Sequence, residues 1–120
     1  MVKILIVDDS GYTRGMIAAA LRSSGYNEIF EASTGQEAIQ KFEAEKPDLV
    51  LLDLVLMEMG GLEVLAEIRK RSKDAKVIIL SAIGQDSYVS KANALNVTDY
   101  MTKPFSPKEL LAKIKALFAD

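Results

Sequence analysis

Five polar residues stand where short apolar runs end. Asp8 and Asp9 follow Ile4-Leu5-Ile6-Val7, Asp53 follows Leu49-Val50-Leu51-Leu52, Ser81 follows Val77-Ile78-Ile79-Leu80, and Lys103 follows a run from Val97 to Thr102. Runs this short and aliphatic read as strands buried on both faces. If the strands are parallel, their carboxyl ends share one edge, and in open α/β sheets ligands bind at that edge. The first and third strands are expected neighbours at the centre of such a sheet, which brings three carboxylates together. Like charges at that range repel unless a cation is bound. Oxygen donors in a chain with no His and no Cys favour Mg²⁺ or a similar hard ion that keeps several waters. A metal-bound carboxylate can act as a nucleophile towards phosphorus and form an aspartyl-phosphate. Lys103 could neutralise one phosphoryl oxygen and Ser81 could donate a hydrogen bond to another. Singly, each residue has a plainer reading. Asp8-Asp9 can cap a helix, Asp53 and Ser81 can form turns or caps, and Lys103 can be a solvated surface residue. Their recurrence at the ends of four strands is hard to attribute to turn chemistry.

The elements that must position these residues follow from the rest of the pattern. Val2 to Val7 reads as a buried strand, broken by Asp8-Asp9-Ser10. From Ser10 to Ser24 the residues Ile17, Ala20 and Leu21 recur at helical spacing, with Gly25 as the stop. Glu28 to Ala32 is short and more polar, as suits a sheet edge. Ser33 or Thr34 can cap the next helix with Gln36 or Glu37 as capping-box partner, and Ala38, Ile39 and Phe42 form its buried stripe. Pro47 opens the third strand, which ends at Asp53. Leu62, Leu65 and Ile68 define a helix ending in Arg69-Lys70-Arg71, a basic cluster that complements the helix dipole. Val77 to Ser81 is the fourth strand, Asp86 to Leu95 a helix with Asn96 in the left-handed stop position, and Val97 to Thr102 the fifth strand. Ser106-Pro107-Lys108-Glu109 combines a cap, Pro at the first helical position and Glu at the third. It opens a last helix whose apolar side is Leu110, Leu111, Ile114, Leu117 and Phe118. Five strands alternating with five helices demand an α/β fold, a doubly wound parallel sheet with helices on both faces.

Composition narrows the classes further. The 120 residues suit one domain, and the chain carries no repeat or linker. A net charge of −2 leaves no basic footprint, so direct nucleic-acid binding is not indicated. Without Cys there is no disulfide framework or thiolate site. Without His there is no imidazole base and no phosphohistidine carried on this chain. No apolar run approaches the roughly 20 residues of a membrane span, and the amino terminus lacks a small-residue cleavage site. A cytoplasmic protein is expected.

The pieces Ile6-Val7-Asp8-Asp9-Ser10, Leu51-Leu52-Asp53-Leu54, Leu80-Ser81-Ala82 and Asp99-Tyr100-Met101-Thr102-Lys103-Pro104-Phe105 occur in an order and spacing that resemble the receiver domains of two-component response regulators, in particular the single-domain chemotaxis and sporulation types. The resemblance covers residues 1–120. It implies the flavodoxin-like strand order 2-1-3-4-5. It implies that Asp53 is the phosphoacceptor and that Asp9 and Asp53 are direct Mg²⁺ ligands. The main-chain carbonyl of Val55 would be a third ligand, with Asp8 acting largely through water. It gives Ser81 and Lys103 to the phosphoryl oxygens and makes Tyr100 a switch aromatic that turns inward when the Ser81 hydroxyl moves. It also implies a cis Lys103–Pro104 bond, the X-Pro setting where cis is cheap. The implied partners are a sensor histidine kinase or phosphotransfer protein and a downstream protein target, met by a monomer or weak dimer through a helix-four, strand-five and helix-five surface. With no output domain after Asp120, the response is expected to pass to a partner.

Some residues depart from the family pattern. Leu56-Met57-Glu58-Met59-Gly60-Gly61 stands where the family usually shows Met-Pro-x-Met-Asp-Gly. Losing Pro and gaining Gly loosens the loop, and the helix beginning near Gly61 loses a capping side chain. Asn96 replaces a common Gly. Val55 and Ile83, which flank the phosphoryl position, are apolar and offer nothing to orient an attacking water. A long-lived phosphoryl group is expected, to be checked by its first-order decay. Two other functions compete with the signalling switch. A Mg²⁺-dependent aspartyl-phosphate phosphohydrolase would usually carry Asp-x-Asp after the first strand and a cap domain, and Asp8-Asp9 lacks that spacing. A flavin carrier of this fold would need a Ser/Thr-rich loop where Asp8-Asp9 would repel the flavin phosphate.

Overall fold

The computed structural model describes residues 2–54, 60–81 and 86–119, with only the main chain at 86–89. Strands and helices alternate as β1 (Lys3–Val7), α1 (Gly11–Ser23), β2 (Glu28–Ala32), α2 (Gly35–Glu45), β3 (Leu49–Asp53), α3 (Gly61–Arg71), β4 (Lys76–Ser81), α4 (Asp86–Ala94), β5 (Asp99–Thr102) and α5 (Pro107–Phe118). The strands form one parallel sheet in the order β2-β1-β3-β4-β5. The fold class and strand order are therefore as expected.

Alternate residues of the central strands feed two cores. Leu5, Val7, Val50, Leu52, Val77 and Ile79 pack against Ala38 and Phe42 of α2, Val64, Leu65 and Ile68 of α3, and Ala92 of α4. On the other face Ile4, Ile6, Leu49, Leu51, Ile78 and Leu80 pack against Ile17, Ala18 and Leu21 of α1 and Leu110 and Ile114 of α5. Every residue of Ile4–Val7, Leu49–Leu52 and Val77–Leu80 is fully buried. At roughly 1.5–3 kcal/mol per buried aliphatic side chain, these three strands are the rigid base on which the site stands.

Local sequence explains most element ends. Ser10 caps α1 by accepting from the Thr13 N–H at 3.2 Å. Gly25, at φ 93°, closes it in a Schellman arrangement, with the Gly25 N–H on the Arg22 carbonyl and the Tyr26 N–H on that of Leu21. Of the two candidate caps of α2, Thr34 takes the role, and the Glu37 carboxylate reaches back to the Ser33 N–H. Ile39 is only half-buried, so the α2 stripe rests on Ala38 and Phe42. Gly60 at the N-cap of α3 makes no side-chain bond, as its residue type dictates. Ser106 caps α5 as expected, Asn96 is left-handed at φ 58°, and Lys103–Pro104 is cis. Several boundaries differ from the sequence reading: β3 begins at Leu49 instead of Pro47, and α4 ends at Ala94 instead of Leu95. β1 begins at Lys3 and β4 at Lys76. β5 begins at Asp99 instead of Val97, because the Val97 N–H still closes α4 onto Ala92 and the Thr98 hydroxyl accepts from Val77 in place of a ladder carbonyl.

Candidate functional site

Register brings the carboxylates together. Val7 pairs with Leu52, so the next residues, Asp8 and Asp53, leave the sheet side by side. Asp53 pairs in turn with Leu80, and Ser81 with Thr102, which sets Ser81 and Lys103 beyond them on the same edge. One ligand oxygen from each of Asp8, Asp9 and Asp53 lies within 4.8 Å of the others. Asp8 and Asp53 are buried, at 1% and 8% exposure, whereas Asp9 is exposed.

Asp8 is held by the chain itself. Its Oδ1 accepts from the Ser10 N–H at 2.9 Å and its Oδ2 from Lys103 Nζ at 3.1 Å. The same ammonium lies 3.5 Å from Asp53 Oδ2, so Lys103 bridges the two buried acids. Burial pulls the Lys103 pKa down, but the hydrogen bond to Asp8 and the charge of Asp53 outweigh it and leave the pKa raised. Lys103 is thus a committed cation at neutral pH. Its main chain is fixed too, by donation from its N–H to the Ser81 carbonyl. The buried Ser81 hydroxyl donates to the Met101 carbonyl at 3.4 Å, a long bond that leaves it free to re-aim.

Three carboxylates against one ammonium leave an excess of two negative charges. All the donors are hard oxygens, and the chain holds no His or Cys to compete. The set fits a divalent cation of the Mg²⁺ type.

Residues 4–115 match the response regulator receiver domain. Over 115 residues, 96% of this chain and 97% of its relative, the sequence is 40% identical to the chemotaxis protein CheY of Listeria monocytogenes. The chain belongs to the receiver domain family of response regulators. This receiver domain is also 37% identical to the chemotaxis protein CheY of Thermotoga maritima over 91% of each chain. Among solved structures it resembles the CheY4 chemotaxis protein of Vibrio cholerae, with a TM-score of 0.92 at 29% identity over 98% of this chain and 99% of that one. It likewise resembles a CheY-like receiver domain of Methanospirillum hungatei, with a TM-score of 0.93 at 31% identity over 98% and 93%. The family is one of two-component signalling proteins, and no relative here supports the phosphohydrolase or flavin readings.

Within the receiver domain, Tyr100 lies on β5 with its ring turned outward, 44% exposed. Asp99 beside it pairs with Lys113 of α5 at 2.9 Å, joining β5 to α5. Val55 and Ile83, and the loop stretch Leu56-Met57-Glu58-Met59, lie outside the described residues. A cleft of about 320 Å³ beside Lys103 is lined by Thr13, Met16, Pro104 and Phe105. A larger one, about 620 Å³, lies at the opposite edge of the sheet near Pro47 and Lys76, away from the carboxylates. Among the described residues no helix is long and apolar enough to cross a membrane.

Two residues at the site were not singled out by sequence. Arg14 donates to the Asp8 main-chain carbonyl at 2.6 Å. Gly61 packs directly against the Asp53 and Leu54 backbone. A helical Arg has no distinguishing local signal, whereas Gly-Gly at the start of a helix does hint at a close approach.

Proposed function

We propose that this receiver domain is a phosphorylation switch that takes a phosphoryl group from phosphohistidine on a sensor kinase or phosphotransfer protein onto Asp53. An Asp53 carboxylate oxygen attacks phosphorus. The P–N bond of the donor breaks, and its electron pair remains on the imidazole nitrogen. Later attack by water releases inorganic phosphate and restores the carboxylate. The domain thus catalyses only its own phosphorylation and dephosphorylation. Asp8, Asp9 and Asp53, with the Val55 carbonyl, would hold Mg²⁺. When bound, the ion neutralises the carboxylates and the charge developing on the phosphoryl oxygens.

The chain's own residues supply the rest. Lys103 lies 3.1 and 3.5 Å from Asp8 and Asp53, so a phosphoryl oxygen on Asp53 comes within its reach. Ser81 exchanges its long bond to Met101 for one to a second phosphoryl oxygen. That movement vacates space beneath Tyr100, which turns inward and reshapes the α4, β5 and α5 surface for a protein target. The response is of the chemotaxis or phosphorelay type and takes place in the cytoplasm.

The observation that carries this reading is the Lys103 ammonium bridging two buried carboxylates, with a third carboxylate exposed beside them. The test is incubation with acetyl phosphate and Mg²⁺, read by intact mass. One added phosphoryl group on the wild type and none on Asp53→Ala is expected. Equal labelling of the Asp53→Ala variant would refute the reading.

A further inference from the structure

Arg14, in the first turn of α1, is four-fifths buried and makes two directed bonds. Its Nη1 donates to the main-chain carbonyl of Asp8 at 2.6 Å, and its Nε donates to Glu31 Oε1 of β2 at 3.2 Å. The Glu31 main-chain carbonyl accepts in turn from Lys41 of α2. The Asp8 N–H donates to the Ala32 carbonyl at 3.1 Å. The Asp8 main chain is therefore gripped at its N–H by β2 and at its carbonyl by α1. That carbonyl belongs to the peptide plane joining Asp8 to Asp9. Fixing the plane fixes the direction in which Asp9 leaves the strand. The Asp8 side chain has its own holders in Ser10 and Lys103. The exposed Asp9 carboxylate accepts no hydrogen bond among the described residues. Its placement rests on its main chain, and Arg14 sets that main chain. Glu31 also offsets the guanidinium charge, which would otherwise oppose a cation nearby.

We infer that Arg14 is a positioning residue that presents Asp9 to the divalent cation, an inference that rests on the proposed cation role of the acidic cluster. Groups that orient metal ligands typically change affinity 10- to 100-fold when removed. The test is calorimetric titration of Mg²⁺ into the full chain, with urea unfolding of each variant alongside. Arg14→Met is expected to weaken Mg²⁺ binding about tenfold. Arg14→Lys has one ammonium for two acceptors and should lose about threefold, a partial rescue. Glu31→Gln keeps an acceptor for Nε and should stay within about twofold. A merely structural Arg14 would lower the urea midpoint and leave the affinity of the folded protein unchanged, and wild-type affinity in Arg14→Met overturns the inference. If Arg14→Met does not fold, Arg14→Lys decides, and wild-type affinity there overturns the inference equally. A wild type that binds no Mg²⁺ overturns the proposed cation site and this inference with it, so the two failures are distinct.

Discussion

Gly61 packs directly against the main chain of Asp53, the proposed phosphoacceptor. A Cβ at this position would stand 2.5 Å from the Asp53 carbonyl oxygen and 2.7 Å from both the Cα and the carbonyl oxygen of Leu54. Ordinary contact begins near 3.4 Å, so the closest pair must separate by 3.4 − 2.5 = 0.9 Å. All three neighbours are backbone. They are tied to the sheet by the Leu54 N–H on the Leu80 carbonyl, and to α3 by the Gly61 N–H on the Leu54 carbonyl. A flexible side chain could swing aside, but this strand end cannot. Overpacking of this kind costs about 1–3 kcal/mol, and rigid neighbours place Gly61→Ala near the upper end. With a urea slope of roughly 1.5 kcal/mol per molar, the unfolding midpoint should fall by about 1.5–2 M. Gly60→Ala is the control. No atom lies within 4 Å of its Cβ, and φ of −63° suits alanine. It should lose about 0.5 kcal/mol, the difference between Gly and Ala at an uncapped N-cap. Because the displaced atom is the Asp53 carbonyl, acetyl phosphate labelling of folded Gly61→Ala should slow by on the order of 10²-fold, as expected for a shift near 1 Å. A Gly61→Ala midpoint equal to that of Gly60→Ala would refute the packing account.

Two further outcomes follow from the electrostatics of the site. The pKa of Lys103 is raised in the folded protein, so its stabilising contribution is fully present below the unfolded value of 10.5 and is lost as pH rises through the folded value. The urea midpoint of wild type should exceed that of Lys103→Met from pH 7 to 9, and the gap should narrow above about pH 10.5. An unchanged gap at pH 11.5 would count against the bridge. Asp9 faces two carboxylates and one ammonium within a cluster 4.8 Å across. One unbalanced charge at that range and water-like screening is worth about 1 kcal/mol. Asp9→Asn should therefore be more stable than wild type by about that amount without Mg²⁺, and on the proposed cation role Mg²⁺ should raise the melting temperature of wild type but not that of Asp9→Asn. A less stable Asp9→Asn would contradict the repulsion.

The legible parts of this chain are those where one local cause dominates. Leu49–Asp53 is a strand because four aliphatic residues in a row have no amphipathic alternative, and its carboxyl end falls at Asp53 as expected. The α5 start reads directly from Ser106-Pro107-Lys108-Glu109 because each residue has a separate role there. Less legible were contacts that link distant residues. Lys46 ends α2 in the left-handed region at φ 50°, where its residue type gives no warning. The basic end of α3 reads as dipole compensation, yet Arg69 donates to the carbonyls of Ala75, Leu95 and Asn96 and so ties α3 to both neighbouring loops. Arg14 belongs to the same class, since its role appears only when β1 and β2 are in place. The positions of Asp8, Asp53, Ser81 and Lys103 were legible because a parallel sheet sends every strand's carboxyl end to one edge, whatever the details of packing.

Adjacent aspartates that look equivalent in sequence become unequal in the fold. Asp8 follows the buried end of β1, and both its oxygens are engaged, one by the Ser10 N–H and one by Lys103. Buried this deeply, it has these donors in place of water. Asp9, one residue further, has turned into solvent and keeps its oxygens available. The division follows from strand geometry, because consecutive side chains point in opposite directions as a strand ends. One carboxylate anchors Lys103 beside Asp53, and the next keeps its oxygens open for the proposed cation. Exchanging the two roles would require a register slip in β1, which would move its core residues to the opposite face. The order of the pair is thus fixed by the same Ile4–Val7 packing that holds the sheet together.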